Sequence, residues 1–268
     1  MRTHETSGGV AEQLAALKEA FAARAEAPDA TARWVLVGRG RSAEHLLSSF
    51  ARHVASAGGT FIEGAWRAGL VRPFGGLLDV VDALAENMLA SQPELARRYS
   101  LTLTNLLPSL RSAEALRKTG ELRSGLADYV LHGDRAGLKD FYWKRNVAPL
   151  VAADLVHFTL AAATALAERA GAPTVLCLRD VHLADRQTAE LIQILNGYSR
   201  RQPVLLCVTA GELTGPLESW LVKGADSRQA WRVIKPAEGS DPDAQDRRRG
   251  RAPALRGGAF RLRLARAS

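Results

Sequence analysis

Only two cysteines, Cys177 and Cys207, occur in the 268 residues. A disulfide-stapled secreted scaffold or a cysteine-built zinc site needs more thiols at tighter spacing, so both are excluded. Each cysteine lies inside a short apolar run, VLCL or VLLCV, which reads as a buried structural thiol. No run reaches the roughly 18 consecutive apolar residues of a membrane helix. The amino-terminal MRTHETSGGV lacks the apolar centre of a secretory signal. The expectation is a cytoplasmic protein with no membrane partner. There is no G-x-S-x-G, so the nucleophile elbow of an α/β-hydrolase is missing. There is no H-E-x-x-H, and the histidines (His4, His45, His53, His132, His157, His182) stand singly, without metal-ligand spacing. The G-x-G of Gly38-Arg39-Gly40 lacks the third glycine of a dinucleotide fingerprint, although Glu63 supplies an acid at the customary distance.

What is present is the composition of a folded domain. Apolar residues make up 47% and charged residues 24%, ordinary for a globular chain. The length suffices for one large or two small domains. The net charge of +8 is unevenly placed. Residues 241–268 hold eight arginines and three aspartates, so most of the basic excess belongs to the tail. From 246 onward Arg, Ala, Gly and Leu follow one another without a period. Two readings stay open there: a disordered basic arm, or a segment foreign to the fold such as the translation of a shifted frame.

Apolar spacing predicts an amphipathic helix over 11–26, through Leu14, Leu17 and Phe21. A second follows over 43–57, through Leu46, Leu47, Phe50 and Val54, stopped by Gly58-Gly59. Further helices are expected at about 77–90, in pieces over 94–131, over 147–170 and over 186–198. Short apolar runs at 34–37, 60–63, 174–178, 203–209 and 231–234 predict strands. Continuously apolar strands alternating with helices indicate a parallel sheet covered on both faces. The expected fold is α/β, a three-layer sandwich with a mostly parallel sheet. Its domains would be a helical segment at 1–30, a core at 31–245 carrying a helical insertion at 91–145, and the tail at 246–268. Trp143, Lys144 and Arg145, beside Phe141 and Tyr142, offer either a contact to nucleic acid or a partner, or an amphipathic helix boundary.

The order strand, turn, helix, then an apolar strand ending in an acid, then a strand ending in Thr, is that of a P-loop NTPase. Five segments carry the resemblance: WVLVGRGRSAEHLLSSFARHVASAGG, TFIEGAWRAGLVRPFGGLLDVV, PTVLCLRDVHLADRQTAELIQIL, PVLLCVTAGEL and WRVIKPAEGSDPDAQ. Over roughly residues 11–245 the chain resembles the AAA-like ATPase module of the STAND class, found in large bacterial transcriptional regulators. The third segment is the most specific, with Asp180, His182 and Asp185 standing where that class has its acid and its His-x-x-Asp run. The resemblance implies nucleotide contacts from Gly38, Arg39, Gly40, Arg41, Ser42 and Thr209. It also implies Asp180 as the water-activating acid, with ATP and Mg as the cofactors of an active site.

The chemistry departs from that class in both halves of the site. The phosphate-binding template G-x-x-x-x-G-K-[ST] supplies wrapping backbone N–H groups, a phosphate lysine and a magnesium hydroxyl. Here the loop is one residue short, the lysine position falls on Ala43, and the hydroxyl position falls on Glu44. The acid expected to hold magnesium is Arg179, a cation. The expectation is a module without efficient ATP hydrolysis, serving regulation or a protein partner, in transcriptional regulation. Two alternatives stand beside it. One is a divergent ATP-hydrolysing enzyme that uses Arg39 or Arg41, since guanidinium binds phosphate well, with Asp180. The other is a nucleic-acid binder acting through Arg247–Arg251, with steep salt dependence. Single residues have plainer readings too. Asp180 and Asp185 serve equally as helix caps, His182 as a packed or surface histidine, Gly38 and Gly40 as turn glycines, and Arg39 and Arg41 as solvated side chains.

Overall fold

The computed structural model of the chain describes residues 5–6, 9–27, 33–37, 41–68, 74–107, 147–211 and 232–234. Their elements, in chain order, are β1 (Glu5–Thr6), α1 (Val10–Glu26), β2 (Arg33–Val37), α2 (Arg41–Ser56), β3 (Thr60–Ala65), α3 (Gly75–Ser91), α4 (Pro93–Arg98), α5 (Ser100–Leu106), α6 (Val147–Ala170), β4 (Thr174–Arg179), α7 (Arg186–Tyr198), β5 (Val204–Ala210) and β6 (Arg232–Ile234). Short 3-10 turns, Val181–Leu183 and Ser199–Arg201, flank α7. Among the described residues the sheet has six strands in the order β1-β6-β2-β5-β4-β3, and its neighbours pair in parallel.

The strands are buried on both sides because alternate residues feed two separate cores. Val175 and Cys177 of β4, with Leu205 and Cys207 of β5, join Leu36 and Ile234 under α1 and α2. Leu176 and Leu178 of β4, with Val204, Leu206 and Val208 of β5, join α3, α6 and α7. Side chains alternate between faces at a period of two, so the two lists lie on opposite faces. The result is three layers, as the apolar runs predict: α1 and α2 on one face, α3 to α7 on the other.

Chain direction agrees with that layering. Steps that run one way across the sheet, β1 to β2 and β2 to β3, carry α1 and α2 on the first face. Steps that run back, β3 to β4 and β4 to β5, carry α3 through α7 on the second. Parallel crossovers of a single hand require this exchange of faces when the direction reverses.

The expected bounds hold closely for α6 and α7, while α2 begins at Arg41, two residues early. Strand β4 runs one residue further than its apolar run and takes in Arg179. The strand at Glu5–Thr6 has no forecast; it is too short to show a period. The 20-residue stretch Val151–Ala170 is long and apolar enough by composition to cross a membrane. Its Leu155, Phe158, Ala162, Ala163 and Leu166 are buried in the second core, as in the central helix of a folded domain.

Cys177 and Cys207 are both buried and lie directly opposite each other on β4 and β5. The hydrogen bond to Cys207, and then burial, push the Cys177 thiol well above its ordinary range. It is therefore a neutral packing group and not a nucleophile.

Candidate functional site

Parallel strands bring their carboxyl ends to one edge of the sheet, where open α/β folds bind ligands at points of reversed strand order. Strand β5 lies between β2 and β4. The chain leaves β2 toward α2 on one face and leaves β4 toward α7 on the other. The ends of β2, β5 and β4 are thus contiguous at such a point. Thr209 of β5 is level with Leu36 of β2, and Ala65 of β3 is level with Arg179 of β4.

Thr209 and Asp180, 29 residues apart, meet here. The Asp180 N–H donates to Thr209 Oγ1 at 3.1 Å. Asp180 adopts the left-handed conformation, φ 57° and ψ 39°, which aspartate tolerates better than most residues. Its side chain makes no capping bond to the 3-10 turn that follows. The Asp180 carbonyl accepts from Leu183 N at 2.9 Å and so closes that turn. The helix-cap reading therefore fits its backbone and not its carboxylate.

His182 Nδ1 accepts from the Gly211 N–H at 3.2 Å. The bond ties the turn after β4 to the exit of β5. Asp185 is the amino-terminal cap of α7. Its Oδ1 accepts from Thr188 N at 2.8 Å and its Oδ2 from Thr188 Oγ1 at 2.6 Å. Losing such a cap costs about 1 kcal/mol. Asp185→Ala is expected to lower the urea midpoint by that much stability with an unchanged slope, while Asp185→Asn keeps most of it.

The residues expected from the resemblance to contact phosphate are placed as follows. Gly38, Arg39 and Gly40 lie outside the described residues. Arg41 and Ser42, expected in the loop, lie in the first turn of α2. Only three residues separate β2 from α2. That first turn runs from Arg41 to Glu44. Ala43, which the resemblance puts at the lysine position, is 6% exposed and belongs to the core beneath α2. A lysine there would start from a buried position. Residues 143–145 and 246–268, with the basic stretch Arg247–Arg251, also lie outside the described residues.

Among the described residues, the ion pairs at this edge centre on Arg179. Its Nη1 donates to Glu63 Oε1 of β3 at 2.9 Å. Its Nη2 lies 3.8 Å from Glu44 Oε1 on α2. Partial burial opposes the guanidinium charge, but the hydrogen bond and charge of Glu63, with help from Asp180, outweigh it and raise the pKa. The residues that the resemblance would put at magnesium positions, Glu44 and Arg179, are thus a carboxylate and a guanidinium facing each other. A divalent ion needs a hard oxygen donor set, and a fixed cation within that set opposes it. These residues do not fit magnesium. Among the described residues no group of three or more His, Cys, Asp or Glu is placed to hold a metal. Glu63, noted in the sequence only as the acid of an incomplete dinucleotide fingerprint, is the stronger partner of Arg179. Opposite charges 116 positions apart give no local sign of their pairing.

No protein-family model, curated protein or solved structure matches the chain.

Proposed function

We propose that this chain is a degenerate module of the P-loop NTPase type, of the STAND or AAA-like class. In this reading it acts in regulation by engaging a protein partner, without efficient ATP hydrolysis. The observation that carries the non-hydrolytic half is the commitment of Arg179 to Glu63 and Glu44. In a working site a phosphoryl group is cradled by a lysine and a metal, which neutralise its charge. Here the lysine position is the packed Ala43 and the metal positions neutralise each other. The parallel order, with Thr209 beside Asp180 at the strand ends, supports kinship with nucleotide-binding folds. The partner and the transcriptional setting rest on the sequence resemblance.

Calorimetric titration of the full chain with ATP, with and without MgCl2, tests the reading. The expected outcome is no saturable heat in either case, meaning a Kd weaker than about 1 mM, or less than about 4 kcal/mol of binding free energy. Tight binding that depends on magnesium would overturn it and favour the hydrolytic alternative.

A further inference from the structure

The two charge departures, an acid at the hydroxyl position and a base at the acid position, are far apart in sequence but meet in space. Glu44 starts from the first turn of α2, Arg179 from the end of β4, and Glu63 from β3. The guanidinium lies between the two carboxylates, at 2.9 Å from one and 3.8 Å from the other. Asp180, the next residue, adds a third acid whose charge favours the cation. In the class the chain resembles, a bound magnesium would join the helix hydroxyl to the strand acid at these two positions. We infer that Arg179 is a resident cation. It bridges the first turn of α2 to the ends of β3 and β4, and makes that junction independent of metal and nucleotide.

Three features support this over a chance surface pair. The bridge joins three elements and not neighbours on one helix. Arginine presents several N–H donors in a fixed fork, so one side chain can serve two carboxylates from separate elements. Arg179 is itself held from behind, because its carbonyl accepts from Trp66 N at 3.1 Å, which binds the end of β4 to the end of β3. The consequence is conformational. A module whose helix must be drawn in by a ligand switches with that ligand; a module with its own cation keeps one arrangement. The inference leans on the proposed kinship for its choice of magnesium; the bridge itself does not.

The test is hydrogen exchange of the α2 amides from His45 to Ser48, whose acceptors are residues 41–44. It is done on the full chain with no nucleotide, with MgCl2 against NaCl at matched ionic strength to separate binding from screening. In the native chain MgCl2 is expected to change nothing. In Arg179→Met exchange should rise about fivefold, the scale of two partly exposed ion pairs, whereas Arg179→Lys should keep most of the protection. Arg179→Asp puts a carboxylate at position 179 beside those of Glu44 and Glu63. There exchange should rise similarly and be restored by MgCl2 but not by NaCl. Equal exchange in the native and Arg179→Met chains would overturn the inference. So would a native response to magnesium as large as that of Arg179→Asp, or no recovery in Arg179→Asp. If Arg179→Asp does not fold, judged by circular dichroism, the contrast between Met and Lys decides. ATP binding by the native chain would sink the proposed function and leave this result standing, so the two failures are distinguishable.

Discussion

Gly64→Val is expected to destabilise the fold by at least about 3 kcal/mol, the upper end of overpacking costs. That corresponds to a fall in Tm of about 10 °C for a domain of this size. A Cβ at Gly64 would meet the Gly76 carbonyl oxygen at 1.9 Å and the Gly76 carbonyl carbon at 2.9 Å. Both are backbone atoms of the first turn of α3, which cannot rotate out of the way as a side chain does. The closeness is mutual, since a Cβ at Gly76 would meet Ala65 N at 2.7 Å. Two facing glycines let α3 press directly on the backbone at the end of β3. Glu63, the residue before Gly64, is the main partner of Arg179, so the close approach also steadies the charged edge. Gly197→Ala is the control. Nothing lies within 4 Å of its Cβ, and in a helix the exchange is expected to stabilise by about 0.5–1 kcal/mol. Differential scanning calorimetry of both variants decides the matter; a Gly64→Val chain that melts with the native one would refute the packing argument.

Phe50→Ala is the second large effect, expected to cost about 3–5 kcal/mol. Phe50 is fully buried. Its ring packs edge-on against Phe21 of α1 at 6.5 Å and against Phe61 of β3 at 6.1 Å. Such pairs add about 0.5–1.5 kcal/mol beyond area burial. The ring thus joins two helices to the sheet, and its removal leaves a hole bounded by three elements. Guanidinium titration should show a lower midpoint with a nearly unchanged slope. A loss below about 1 kcal/mol would mean that α1 and α2 close over the gap. The position matters for the site because Glu44 stands on the same helix as Phe50, and a loosened α2 carries its carboxylate away from Arg179.

Much of the architecture is legible because the physics that sets it is local. The runs at 174–178 and 203–209 are apolar on successive residues, and only a strand covered on both faces buries both sets. The two cores confirm this residue by residue, with Val175 and Cys177 on one side and Leu176 and Leu178 on the other. The helix over 147–170 announces itself by length and alanine content. Asp185 before an apolar period reads as a cap and is one. The site was legible only by halves. That Ala43, Glu44 and Arg179 break the template is visible in the string of residues. That Glu44 and Arg179 compensate each other is not, and neither is the place of Glu63 between strand and cation.

The reason is the range over which each force reads the chain. Periodicity, caps and turn residues act within a few positions, so the amino-acid order alone determined five of the six described strands, most of the helices and the three-layer α/β plan. The meeting of Arg179 with two acids, the bond from Asp180 to Thr209, and the contact of Gly64 with Gly76 depend on strand order and on which face each crossover takes. Those were decided only when the sheet closed in the order β1-β6-β2-β5-β4-β3, because a charge finds its partner through space and not along the chain.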